Sequence, residues 1–102
     1  MSNGKGYIYA ELKVTDPEIF YGEYMEKVTP VLQKWGATFA IAGGEPRVLE
    51  GDRVVERVVL VEFESPEKAN EFYFSDDYQA VIDYRFRSAD THLYMLNGHT
   101  AS

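Results

Sequence analysis

Seven residues near the middle of the chain, RVVLVEF at 57–63, constrain the fold more than any other segment. Val58 and Leu60 share one parity with Glu62, and Val59, Val61 and Phe63 share the other. Successive side chains of a strand point to opposite faces, so a strand apolar at both parities must be covered on both sides. This segment therefore belongs in the middle of a sheet.

The flanking sequence supplies the rest of that sheet. YIYAELKV at 7–14 alternates, with Ile8, Ala10, Leu12 and Val14 on one face and Tyr7, Tyr9, Glu11 and Lys13 on the other. TDPE then opens a helix, either with Asp16 as N-cap before Pro17 or with Thr15 and Glu18 as a capping box. Phe20, Tyr24, Val28, Val31, Leu32 and Trp35 follow at helical spacing, and Gly36 stops the run. Pro30 removes a donor, which predicts a kink or a split last turn. ATFAIAGG at 37–44 reads as a second strand with Phe39 and Ile41 on one face. PRVLEGDRVV at 46–55 reads as a short strand turning at Gly51-Asp52. Ser65 and Pro66 start a helix, Ser75 caps another running to about Ala89, and THLYMLNG at 91–98 closes the chain as a strand.

This order predicts an α+β fold: a ferredoxin-like βαββαβ sandwich over residues 7–98, mainly antiparallel, with helices on one sheet face. Residues 1–6 and 99–102 are expected to be mobile ends. Helices on one face leave the other bare, where Tyr7, Tyr9, Tyr94 and Leu96 join the central strand. An apolar sheet face of that size calls for a cover, and a second copy in a twofold homodimer supplies it.

A length of 102 residues suits one domain, and a net charge of −7 repels phosphate backbones, which argues against nucleic acid. Without cysteine there are no disulfides or thiolate metal sites. Two separated histidines and no acidic cluster at ligand spacing predict no metal and no cofactor. The first residues lack the apolar core of a signal peptide and no stretch reaches a membrane span, so a cytoplasmic location off the membrane is expected. Eight tyrosines and six phenylalanines favour an aromatic-lined cavity or interface.

The segment DDYQAVIDYRFRSAD at 76–90 carries the main candidate. On a helix with Tyr78 at zero, Ile82 lies at about +40°, Ala89 at about +20° and Arg85 at about −20°, all on the apolar face. Arg87 falls on the far side, one turn from Asp83, as an exposed pair. Turned inward, Arg85 needs a carboxylate, a carbonyl or a bound anion, so it is either a structural ion pair or a ligand contact. Glu62 is its candidate partner if that parity of the strand faces the helices. Tyr24 on the first helix and Tyr78 complete the candidate ligand-binding set, with core packing as their alternative role. Trp35 at its helix end suits a hydrophobic plug, and His92 a packed or rim position.

Taken together, GYIYAELKVTDPEIFYGEYMEKVTPVLQKWG, GGEPRVLEG, RVVLVEFESPEKANEFYFSDDYQ and the YRFRSA to LNG close resemble the family called domain of unknown function 1330, in the dimeric α+β barrel superfamily. The resemblance implies paired sheets forming a barrel across a dimer and assigns no activity. The wider superfamily includes cofactor-independent monooxygenases and isomerases, but that is analogy of fold. Members commonly carry arginine before the double glycine, where this chain has Ala42, while the family's helix arginine matches Arg85. Two functions stay open: a site for a small anionic or carbonyl-bearing organic molecule between helices and sheet, or a non-catalytic ligand-binding or assembly module.

Overall fold

The computed structural model describes residues 4–99. Four strands, β1 (Gly6–Val14), β2 (Thr38–Gly44), β3 (Arg57–Phe63) and β4 (Ala89–Asn97), form one sheet in the order β2-β3-β1-β4. Every neighbouring pair is antiparallel. The doubly apolar segment is β3, one of the two inner strands, as its pattern requires. Ile8, Ala10 and Leu12 of β1 stand beside Val61, Val59 and Arg57 of β3 on the face toward the helices. Tyr7, Tyr9 and Glu11 stand beside Glu62, Leu60 and Val58 on the open face.

The helical layer comprises α1 (Pro17–Ile19), a π-helical turn (Phe20–Tyr24), α2 (Met25–Lys34), α3 (Pro66–Phe74), α4 (Asp76–Gln79) and α5 (Ile82–Ser88). Asp16 caps α1, its Oδ1 accepting from the Ile19 N–H at 3.3 Å. Ser65 and Ser75 cap α3 and α4 in the same way. Gly36, at φ 69°, lets the chain leave α2 through the left-handed region. Phe20, Val28, Leu32, Phe63, Ala69 and Phe72 are among the buried residues joining this layer to the sheet. Gly6 permits the closest approach: a Cβ there would lie 2.5 Å from the Ser65 carbonyl oxygen and 2.6 Å from Pro66 Cα.

Several local expectations change. The first helix is irregular at Phe20–Tyr24, where the Met25 N–H reaches the Phe20 carbonyl, and α2 runs through Pro30 unbroken. A bulge at Ala40 shifts the β2–β3 register, so Phe39 stands opposite Val61 while Ile41 stands opposite Leu60. The two therefore lie on opposite faces, because one extra residue reverses the alternation. Residues 46–55 form no strand: β2 is the sheet edge, the segment has no neighbour to pair with, and Leu49 and Val54 are exposed. The turn there survives, with Gly51 at φ 96°.

The predicted 76–89 helix is broken at Ala80–Val81, and β4 starts at Ala89. Val81 and Ile82 are both buried across the break. At the N-terminal end, Gly6 already belongs to β1 and the Gly98 N–H donates to the Lys5 carbonyl at 2.7 Å. The expectation of mobility for residues 1–3 and 100–102 lies outside the described residues. Among the described residues no helix is long and apolar enough to cross a membrane.

Candidate functional site

Between the helical layer and the sheet lies a cavity of ≈ 60 Å³, floored by Ala10, Val59 and Val61 and roofed by Phe20, Tyr24 and Val28. Its lining contains no aspartate, glutamate, histidine or lysine among the described residues. The ionisable groups facing it are Arg57, Arg85, Tyr24, Tyr73 and Tyr78.

Arg85 projects from α5 into this space and is 5% exposed. Its position follows from the chain's return to the sheet. Ser88, one turn on, is fully buried, and its carbonyl accepts from the N–H groups of Thr15 and Asp16 at 2.8 and 3.1 Å. These bonds pin the end of α5 to the β1–α1 junction and hold the arginine's face inward. Its Nε donates to the Tyr78 hydroxyl at 3.3 Å, and its guanidinium carbon lies 5.1 Å from the Phe86 ring centre. No carboxylate pairs with it among the described residues. Burial alone disfavours its charged form, but the tyrosines, Tyr78 and Tyr24 foremost, offset this and the group stays a cation.

Tyr24 and Tyr78 are both buried, their hydroxyls 2.7 Å apart. Tyr24 comes from the π-helical turn and Tyr78 from α4. Burial, reinforced by Tyr78, pushes the Tyr24 hydroxyl well above its ordinary value, and the nearby Arg85 only partly opposes that shift. Tyr24 therefore keeps its proton at neutral pH. Arg85, Tyr78 and Tyr24 form a hydrogen-bonded chain that leaves one hydroxyl proton free, backed by a fixed positive charge.

The predicted set is only partly brought together. Arg85, Tyr24 and Tyr78 meet in the cavity, whereas Glu62 lies on the open face and accepts from the Tyr7 hydroxyl at 3.1 Å. The antiparallel register decides this, since Glu62 stands opposite Tyr7 and shares the parity of Leu60. Arg85 thus has no access to the carboxylate offered as its structural partner. Arg87 pairs with Asp83 at 3.0 Å on the exposed side of α5. Trp35 is half-buried at the end of α2, edge-on to Phe72, and His92 is exposed on β4.

Sequence reasoning missed Arg57. It begins β3 with the parity of Val59, Val61 and Phe63, so it points toward the helices and into the cavity. That parity was readable in RVVLVEF, but a charge at a strand end resembles a residue leaving the sheet. Its Nε is buried without a hydrogen-bond partner, and its guanidinium carbon lies 5.6 Å from the centre of the Tyr21 ring. Ala42, where the resemblance leads one to look for arginine, lines the same cavity. A cation reaches this wall from β3 instead.

Similar architecture occurs in several solved structures. The RPA0582 protein of unknown function from Rhodopseudomonas palustris aligns at a TM-score of 0.78 and 18% identity, over 98% of this chain and 86% of that one. SnoaB, a cofactor-independent oxygenase from Streptomyces nogalater, aligns at 0.65 and 7% identity, over 98% and 97%. A dimeric protein of unknown function with a ferredoxin-like fold from Bacteroides fragilis aligns at 0.59 and 10% identity, over 97% and 98%. Identities this low speak for the fold alone. No curated protein matches the sequence. The sequence profile of the domain of unknown function DUF1330 matches residues 5–99, and with the sheet order and helical layer above it shows that the chain belongs to the DUF1330 family, with a ferredoxin-like α+β fold.

Proposed function

We propose that this protein binds a small anionic or carbonyl-bearing organic molecule in the cavity between helices and sheet, with Arg85 as its principal anchor. The observation that carries this reading is a buried guanidinium facing an apolar cavity with no carboxylate beside it. Burying a charge without a counter-charge is costly, and an incoming anion recovers that cost as binding energy. The Tyr24–Tyr78 pair spends one hydroxyl proton on its own bond and offers the other as a neutral donor to a carboxylate or carbonyl oxygen.

Among the described residues the walls carry no carboxylate or imidazole to serve as a general base. This favours capture and polarisation of a ligand over general-base catalysis. Formate, a carboxylate compact enough for a cavity of ≈ 60 Å³, tests the reading directly. Calorimetric titration is expected to show binding to the native protein and its loss on Arg85→Met, with circular dichroism unchanged. Formate binding equally well to both proteins refutes the assignment.

We also propose that a second copy covers the open sheet face, making the protein a homodimer. Tyr94 and Leu96, 46% and 45% exposed, extend the surface begun by Tyr9 and Leu60, and the fold neighbour from Bacteroides fragilis is dimeric. A monomeric mass by light scattering at micromolar concentration counts against this.

A further inference from the structure

The cavity owes its shape to one row of the sheet. Ala42, Val59, Ala10 and Leu93 stand side by side across all four strands, and all of them line it. The rows on either side carry bulkier groups, Phe39, Val61 and Ile8 on one flank and Arg57 with Leu12 on the other. Two alanines in the middle row therefore leave a hollow that their neighbours do not fill.

The hollow is small, and its two walls differ in chemistry. At ≈ 60 Å³ it has room for roughly four to six water-sized spheres of about 10–15 Å³ each. Phe39 and Ala42 on the edge strand β2 are exposed, whereas Ala10, Tyr24, Tyr78 and Arg85 are buried, so the mouth lies at β2. Arg85 and the tyrosine pair belong to the helical layer. The sheet side opposite them is apolar apart from Arg57, which begins β3. An occupant therefore meets charge and a hydroxyl proton above and aliphatic carbon below.

We propose that the ligand is a short-chain monocarboxylate of acetate or propionate size, its carboxylate on Arg85 and the tyrosine pair and its alkyl end on Ala10 and Val59. This rests on the anion-site reading above and specifies its ligand class. Formate satisfies the charge but leaves the aliphatic floor bare, whereas a ring such as that of benzoate exceeds the space. Ala10 then sets the chain length, because a larger side chain at that buried position fills the hollow.

Titration of formate, acetate, propionate and benzoate at constant ionic strength, followed by the chemical shifts of the protein amides, ranks the series directly. Acetate is expected to bind about fourfold more tightly than formate, the ratio that burying one more carbon supplies, and benzoate not at all. Ala10→Val should abolish the preference for acetate and leave formate binding in place. Val59→Ala, which widens the hollow, should extend binding to butyrate and serves if the valine variant does not fold. Equal affinity for formate and acetate, benzoate binding as tight as that of acetate, or a ranking untouched by both substitutions overturns the short-chain class and leaves the Arg85 site standing. If none of the acids binds the native protein, or acetate binds Arg85→Met as tightly, the anion-site reading fails and this inference falls with it.

Discussion

Replacing Arg85 with methionine separates a ligand-binding arginine from a structural one, because the two roles predict different effects on stability. The residue is 5% exposed and its Nε hydrogen bond to Tyr78 is 3.3 Å long. Losing a hydrogen bond to a charged group costs about 1.5 kcal/mol at the weak end of the range. Against that, removing the buried charge recovers its desolvation penalty, which Tyr78 and Tyr24 already offset in the native protein. Methionine fills similar space with an apolar chain, and Tyr78 keeps its 2.7 Å contact with Tyr24. The balance predicts stability within about 1–2 kcal/mol of the native protein, a change in Tm of roughly 4–8 °C per kcal/mol for a domain of this size. Urea unfolding at fixed protein concentration should show a midpoint near the native one with the same slope. A loss of more than about 2 kcal/mol would refute the reasoning, because only a guanidinium integral to the core is worth that much.

Other perturbations test separate parts of the account. Gly6→Ala should destabilise the protein by about 1–3 kcal/mol in urea unfolding, since the added carbon would overlap the Ser65 carbonyl and Pro66 backbone. Tyr24 titrates above its ordinary value of 10.0 in the folded protein, so its contribution is complete below pH 10 and declines as pH rises through the raised value. Alkaline destabilisation should therefore steepen above pH 10, and Tyr24→Phe should flatten it. Leu60→Lys, in the middle of the open sheet face, should shift the protein toward monomer in light scattering without changing its circular dichroism. An unchanged dimer mass would place the interface elsewhere.

Much of this molecule was written in local chemistry. Serine and aspartate caps, Pro17 and Pro66 at helix starts and Gly36 after α2 mark boundaries through backbone preferences that act within a few residues. The double parity of RVVLVEF placed β3 inside the sheet, and the helical phase turned Arg85 toward the core even though the helix proved to be broken at Val81. That phase survived because the break is itself a tight turn, with the Val81 N–H bonded to the Tyr78 carbonyl at 2.9 Å.

What local pattern left open was which face meets which. Glu62 and Arg57 belong to one strand and differ in parity, but parity does not say which side the helices cover. The pairing of β1 with β3 decided it, sending Glu62 to Tyr7 and Arg57 into the cavity. One bulge at Ala40 likewise parted Phe39 from Ile41, which strict alternation had kept together. The sequence by itself determined the four sheet strands, their order and the inward turn of Arg85, because caps, periodicity and breakers are short-range. Only the tertiary structure decided that Arg85 faces a cavity without a carboxylate and shares it with Arg57, because those relations depend on register between segments far apart in the chain.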